Sequence, residues 1–329
     1  GTATRMEASL VPQFGWPFHG IDVAGLRGKS MFSLIKAPWM LLKSVWQARK
    51  VINTVQPDLV LGFGGYASGP GGVAAWLKRL PLLIHEQNAV VGSTNRLLAK
   101  LADKVMVAFP AAFSAEPKQL VVGNPVRSEL INVAAKHDYS GQLKVLVVGG
   151  SLGARVLNDT LPAIFAKAAA TGAIAVRHQT GKALQQQTEQ TYQQQNATQL
   201  TANVSAFIDD MAQAYAWADV VICRAGALTV SELAAAGVAA VFVPLPTAID
   251  DHQSANARWL TEQGAALLVA QQDLTEQRLL PLLSQWLTDK TPLQQMAAKA
   301  RACALDNATA QVVAQCQHFA GQQVVGQHL

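Results

Sequence analysis

The chain has 329 residues, 50% of them hydrophobic and 14% charged, with 26 Lys and Arg against 21 Asp and Glu for a net charge of +5. That length suits two compact domains of roughly 150 residues each, and the composition suits elements buried on both faces better than one-sided sheets. No apolar run reaches the ~18 residues of a spanning helix and "GTATRMEASL" is no secretory signal, so a soluble cytoplasmic protein is expected.

Cys223, Cys303 and Cys316 have neither CxxC spacing nor a His-rich partner, which argues against a disulfide framework and a zinc site. An isoelectric point near 9.2 permits anionic partners but does not separate nucleic acid, phosphorylated metabolites and acidic lipid.

Taken in chain order, "GTATRMEASLVP" reads as the end of a strand running into a helix. A doubly wound domain normally opens with a strand and a glycine turn, so an element is expected to be missing from the N-terminus. From Val23 to Pro57 there is no acidic residue, while Arg27, Lys29, Lys36, Lys43, Arg49 and Lys50 are interleaved with apolar residues that include Phe32, Ile35, Trp39, Leu42 and Trp46. Two readings fit: a helix packing on the core with snorkelling lysines, or a patch that sits on anionic lipid headgroups. RNA binding has no support, because no aromatic-basic RNP or KH pattern appears.

Short Val, Leu and Ile runs then alternate with helical stretches: "DLVLGFGG", "LPLLIHEQN", "DKVMVAFP", "LKVLVVGGS", "IAVRHQTG", "NVSAFIDD", "DVVICRAG", "VAAVFVPLP" and "AALLVA". Repeated strand, turn and helix predict parallel sheets with right-handed crossovers. The segment from Asn124 to Gln142 lacks such a run, which gives an N-terminal domain over 1–125 and a second over 126–308. A last helix over 309–329 has no readable docking site. The Gln-rich stretch from Lys182 to Leu200 reads as a solvated helix and loop.

In "KVLVVGGSLGARVLND" a strand feeds Gly149, Gly150, Ser151 and Gly153, with a helix starting at about Ala154. Glycines let a backbone approach a ligand, and amides at a helix mouth favour an anion, so a phosphate site is predicted. No GK[ST] follows, and "IAVRHQTG" lacks the acidic residue that a dinucleotide ribose requires, which disfavours a Walker loop and a nicotinamide enzyme. "CRAGALTVSE" repeats the pattern. Arg224, the amides of Ala227 to Thr229, and Ser231 can neutralise a diphosphate, and Glu232 can accept hydrogen bonds from a ribose diol; a first-turn carboxylate serving the helix dipole is the plain alternative. "FIDDM" and "PLPTAIDDHQSANA" also follow strands, the latter with Asp250, Asp251, His252, Gln253 and Asn256. No D-x-D pair offers itself to a divalent ion. In the first half, "GFGGYASGPGG" and "HEQNAVVGSTN" present Tyr66, Ser68, His85, Glu86, Gln87, Asn88 and Asn95 as loops toward a cleft.

These motifs, with "RMEASLVP", "GLRGKS", "VGNPVR" and "DDHQ", run through nearly the whole chain in order. Together they resemble the MurG family, the UDP-N-acetylglucosamine:lipid I N-acetylglucosaminyltransferases of bacterial cell-wall synthesis. The resemblance implies an α/β protein of the GT-B fold: two Rossmann-like, doubly wound parallel-sheet domains facing a cleft, acceptor on the first and UDP-sugar on the second. It implies donor contacts from Asn88, Arg127, Ser151, Ile208, Ala227, Leu228, Thr229, Val230, Ser231, Glu232 and Gln253, and leaves Tyr66, Glu86 and Asn95 as acceptor-side candidates. The family's first strand and "GGTGGH" loop, with its favoured histidine base, are not found in this sequence, so no catalytic base is named.

The implied reaction is an inverting displacement by the C4 hydroxyl of the muramyl residue, with no metal and no cofactor. Implied partners are UDP-N-acetylglucosamine, lipid I, an anionic membrane surface, and cell-wall synthesis and division proteins, with no nucleic acid. A lipid-linked acceptor favours the lipid reading of Phe32, Ile35, Trp39, Leu42 and Trp46, joined by Trp76, and a peripheral position on the cytoplasmic face of the inner membrane. The alternatives are a UDP-N-acetylglucosamine epimerase on the same fold and a non-catalytic fragment that binds UDP-sugar.

Overall fold

A computed structural model describes residues 1–23, 31–113, 117–150, 154–246 and 251–326, and for 31–37 and 322–326 the backbone alone. The chain forms two compact units, Gly1–Gly123 with Asn307–Leu329, and Asn124–Asp306.

In the first unit, α1 (Glu7–Gln13) and α2 (Met31–Val55) precede β1 (Val60–Gly62), α3 (Gly65–Leu77), β2 (Leu82–Glu86), α4 (Ser93–Leu98), β3 (Lys104–Val107) and β4 (Gln119–Val121). The four strands pair in parallel in the order β1-β2-β3-β4. Thr2 and Ile21 add an isolated parallel bridge, which is where the sequence predicts the end of a strand. β2 is buried along its full length, its apolar Leu82, Leu83 and Ile84 followed by the buried polar pair His85 and Glu86, as suits a central strand of a sheet covered on both faces. β4 is short and half-buried, too weak a run to be read from the sequence.

One helix forms where glycine turns were expected, and a second packs on the core as one of its two readings had it. "GGYASGPGG" forms most of α3 rather than a loop, because its glycines permit close helix packing: a Cβ on Gly72 would meet Leu98 Cδ2 at 2.7 Å. α2 buries Ala48 and Ile52 against Ala74 and Ala75 and fixes its N-terminal approach through Asp22, which accepts from Lys43 Nζ and Gln47 Nε2.

The second unit carries α5 (Ser128–Ile131), β5 (Leu143–Val148), α6 (Arg155–Ala168), β6 (Ile174–Gln179), α7 (Gln185–Gln194), β7 (Leu200–Ser205), α8 (Met211–Trp217) and β8 (Val220–Cys223). There follow α9 (Ala227–Ala236), β9 (Ala239–Phe242), α10 (His252–Thr261), β10 (Ala266–Leu268), α11 (Glu276–Thr288) and α12 (Thr291–Ala302). Its six strands are all parallel in the order β10-β9-β8-β5-β6-β7. The first strand of the unit is central, and the chain winds outward from it in both directions, which places the topological switch point between β5 and β8.

The Gln-rich helix α7 is less solvated than its composition suggests. Tyr192 is buried and its hydroxyl lies 2.9 Å from Nδ1 of the buried His178 on β6. Burial alone pushes that imidazole down to about 3, so it is neutral at physiological pH. Asp219 at the start of β8 receives Lys136 and Lys290 and the backbone N–H of Lys144, tying the segment before β5 to the base of the sheet.

α13 (Ala308–Gly326) returns to the first unit, where Val312, Cys316 and Phe319 pack with Leu83, Met106 and Val122. That cluster is the docking place that could not be read from the helix itself. Among the described residues no helix is long and apolar enough to cross a membrane, and no group of three or more His, Cys, Asp or Glu residues is placed to hold a metal.

Candidate functional site: a helix mouth at the switch point

β5 and β8 are hydrogen-bonded neighbours in register, Val148 opposite Cys223. The turns that leave them, Gly149–Gly150 and Arg224–Gly226, therefore start side by side at the carboxyl edge, where ligands of open parallel sheets gather. Gly150 has φ +79°, a left-handed conformation that costs a glycine little, and a Cβ there would meet nothing within 4 Å. Ser151 lies outside the described residues, as does Asp250.

α9 starts immediately after the second turn, with Gly226 as its N-cap. The N–H of Val230 is the first to return to the cap, at 2.9 Å from Gly226 O, so helix geometry leaves the amides of Ala227, Leu228 and Thr229 without an acceptor inside the helix. Three aligned donors and the positive end of the dipole suit a phosphate. The side chains differ: Val230 is fully buried and Ala227 nearly so, while Leu228 is 51% exposed. Ala227 and Val230 thus offer backbone alone.

Elements before β5 complete the mouth. The Asn124 side-chain amide donates to Ser231 Oγ at 3.0 Å and to Ala227 O at 3.4 Å. Arg127, the N-cap of α5, extends Nη2 to 3.9 Å from Glu232 Oε1, the outer edge of an ion pair. The Tyr215 hydroxyl of α8 donates to Glu232 Oε2 at 3.4 Å. Burial holds the Glu232 carboxyl above the ordinary carboxylate range, partly offset by the Arg127 charge and the Tyr215 hydrogen bond. Long, loose contacts around a partly desolvated carboxylate leave it free to accept better hydrogen bonds from a diol. Sequence reasoning missed Tyr215, which no local pattern marks, and Asn124, which stands in the "GNPVR" motif beside the named arginine.

Arg224 does something other than expected. Its guanidinium donates to Val243 O, Pro244 O and Gln271 Oε1 at 2.9, 3.1 and 2.7 Å. The guanidinium thus anchors the chain after β9. Gln253, in the first turn of α10, accepts from Leu245 N–H at 2.9 Å and so holds the same segment. Ile208 is half-buried in the turn after β7, and the following Asp210 caps α8 by accepting from Gln213 N–H at 2.8 Å. The sheet thus gathers Arg127, Ala227 to Glu232, Ile208 and Gln253 on the carboxyl side of the second unit.

In the first unit the acceptor-side residues gather where β1 and β2 end. A Cβ on Gly64 would meet Asn95 Nδ2 at 3.3 Å and Gln87 Oε1 at 3.7 Å. Glu86 is buried and its carboxylate is occupied: Oε1 accepts from Asn88 N–H and Nδ2, and Oε2 from Gly92 N–H and Asn95 Nδ2 at 3.1 and 2.9 Å. It organises the loop that presents Asn88, and Asn95 is buried with it. Tyr66 is 45% exposed in the first turn of α3, with Arg5 5.5 Å above its ring. His85 is buried against Gly123 O at 2.9 Å, and burial keeps its imidazole below the usual value.

Comparison with known proteins fits this geometry. Residues 1–107 match the glycosyltransferase family 28 N-terminal domain and residues 144–314 the glycosyltransferase family 28 C-terminal domain. The UDP-N-acetylglucosamine–N-acetylmuramyl-(pentapeptide) pyrophosphoryl-undecaprenol N-acetylglucosamine transferase of Aeromonas hydrophila is 53% identical over 98% of this chain and 89% of its own. A crystal structure of Acinetobacter baumannii MurG superposes with a TM-score of 0.84 at 42% identity, over 96% of this chain and 89% of that one. A UDP-N-acetylglucosamine 2-epimerase from Neisseria meningitidis shares the fold alone, with a TM-score of 0.60 at 12% identity over 95% of this chain and 88% of that one.

Two parallel-sheet α/β units with these family matches define a GT-B glycosyltransferase of the inverting class. Within that class, the chain belongs to the family of the MurG transferases.

Proposed function

We infer that this chain transfers N-acetylglucosamine from UDP-N-acetylglucosamine to the C4 hydroxyl of the muramyl residue of lipid I, giving lipid II for peptidoglycan with inversion at the anomeric carbon. The observation that carries it is identity of 53% over nearly the whole chain, joined to an open helix mouth at the switch point. The acceptor oxygen forms a bond to the sugar's anomeric carbon as the bond from that carbon to the diphosphate breaks. Its proton passes to a general base and UDP departs.

The departing diphosphate gathers charge, and preorganised donors aimed at it lower the barrier. Amides of Ala227 to Thr229 and the Arg127 guanidinium supply them, with Ser151, the residue after Gly150 in sequence, as a further contact. Glu232 accepts from the ribose hydroxyls, the backbone at Ile208 meets the uracil, and Gln253 and Asn88 read the sugar. The charge is met without a metal, so a chelator leaves turnover unchanged. Tyr66 and the loop held by Glu86 and Asn95 face the acceptor.

A lipid-linked acceptor needs the enzyme at a bilayer surface. α2 supports this reading: its buried positions Ser44, Ala48 and Ile52 recur every four residues, and a second apolar stripe of Trp39, Leu42 and Trp46 is 76%, 64% and 56% exposed. Core packing accounts for the first stripe only. Lys50 lies 3.7 Å from the Trp46 ring centroid, joining a cation to that stripe, and Trp76 of α3 is also exposed. Phe32 and Ile35 belong to the same helix, their side chains outside the described residues. The protein works as a peripheral enzyme on the cytoplasmic face of the inner membrane, bound to anionic lipid and accessible to cell-wall synthesis and division proteins.

Release of UDP on mixing the chain with UDP-N-acetylglucosamine and a lipid I analogue tests the activity. UDP formation that depends on the acceptor supports it; conversion of the donor to another UDP-sugar without acceptor would establish an epimerase instead.

A further inference from the structure

Gln179, the last residue of β6, is 5% exposed, and its carboxamide makes three hydrogen bonds, each 3.0 Å long. Oε1 accepts from the N–H of Gly150, while Nε2 donates to Gly150 O and to Ala206 O. β6 lies between β5 and β7 in the sheet. The side chain therefore joins the turn that leaves one neighbouring strand to the turn that leaves the other. The backbone repeats the connection, since Gly149 N–H reaches Gln179 O at 3.0 Å and Gly181 N–H reaches Ala206 O at 3.1 Å.

Both ends of the bridge matter to the donor as read above. Gly150 sits in the left-handed region immediately before Ser151, and with its N–H and its C=O both held, the peptide units on either side of its Cα are fixed in that conformation. Ala206 immediately precedes Phe207 and Ile208. A carboxamide is the one neutral group that offers an acceptor and two donors together. Glutamate lacks the donors, leucine lacks everything, and asparagine is one methylene shorter.

We propose that Gln179 is a positioning residue for the nucleotide: it fixes the spacing between the phosphate turn after β5 and the base loop after β7, and so favours ligands that span both. This rests on the donor site proposed above. A fixed spacing lowers the ordering cost of a ligand that engages two subsites and does nothing for one that engages a single subsite.

Calorimetric titration of UDP and of uridine into the full chain distinguishes this role from a general folding role. Gln179→Leu should weaken UDP about tenfold and uridine about twofold or less. In turnover it should raise KM for the donor and leave KM for the lipid acceptor unchanged. Should that variant fail to fold, the near-isosteric Gln179→Glu carries the test: its carboxylate repels two carbonyls, and protonation restores a donor, so its deficit in UDP affinity relative to wild type should narrow from about pH 8 to about pH 5.5. Equal loss for UDP and uridine, unchanged UDP affinity, or a pH-independent deficit in Gln179→Glu would overturn the proposal. A wild-type chain that does not bind UDP would overturn the donor site with it.

Discussion

Glu232 carries two opposed demands. Ionising it costs stability in the free protein, because burial raises its pKa, whereas an ionised carboxylate is the better acceptor for a diol. The folded protein then holds its proton at higher pH than the unfolded chain does. The contribution of this group to stability therefore falls as pH rises from the unfolded carboxylate value through the raised folded one. Glu232→Gln should accordingly melt at a higher temperature than wild type near neutral pH, by scanning calorimetry, while binding UDP roughly 10- to 100-fold more weakly from the loss of charged hydrogen bonds. A variant that gains stability and keeps its UDP affinity would remove Glu232 from the ribose.

Legibility at this scale was uneven. Glu232 could be named because its position in a helix's first two turns is a sequence fact. The use of Arg224 could not, since its partners Val243, Pro244 and Gln271 are 19 to 47 residues away and come together only through the sheet.

Among the elements, α9 was readable because a buried strand, an arginine, a glycine and an Ala-rich run each demand one local structure. α3 was not, because "GGYASGPGG" has the composition of a turn and is helical only through packing against Leu98 and its neighbours. α2 illustrates a third case: the sequence offered an apolar position on either side of the helix, and only burial separates the side that packs from the side that is exposed. Replacing Trp39 and Trp46 with Ser should abolish co-sedimentation with anionic vesicles and leave UDP affinity unchanged; loss of both together would assign the tryptophans to folding. On α13, Val312→Ala removes two buried methyl groups and should destabilise the first unit by about 1.5 kcal/mol. Denaturant titration followed by probes in each unit would detect it, and UDP binding, which is proposed for the second unit, should persist.

At the scale of the whole molecule, the alternation of strands and helices gave the number of units and their parallel sheets. The division falls at Gly123, with α13 returned to the first unit, a connection that depends on contacts far apart in sequence. The second unit should also lose stability in acid. His178 is neutral in the folded second unit with a pKa of about 3 against 6.5 in the unfolded chain, so the unfolded chain binds the extra proton between those values. Stability from this group is complete above pH 6.5 and falls on acidification by up to about 1.4 kcal/mol per pH unit. Guanidinium midpoints of the second unit between neutral and mildly acidic pH measure that slope.

The central claim is that the amides of α9 and the glycine turn after β5 hold the diphosphate of UDP at the switch point of the second sheet. Amide hydrogen exchange with and without UDP tests it most directly. The account predicts added protection at the amides of Ala227, Leu228 and Thr229, with α3 and β1 unchanged. Protection confined to the first unit, or none at saturating UDP, would contradict it.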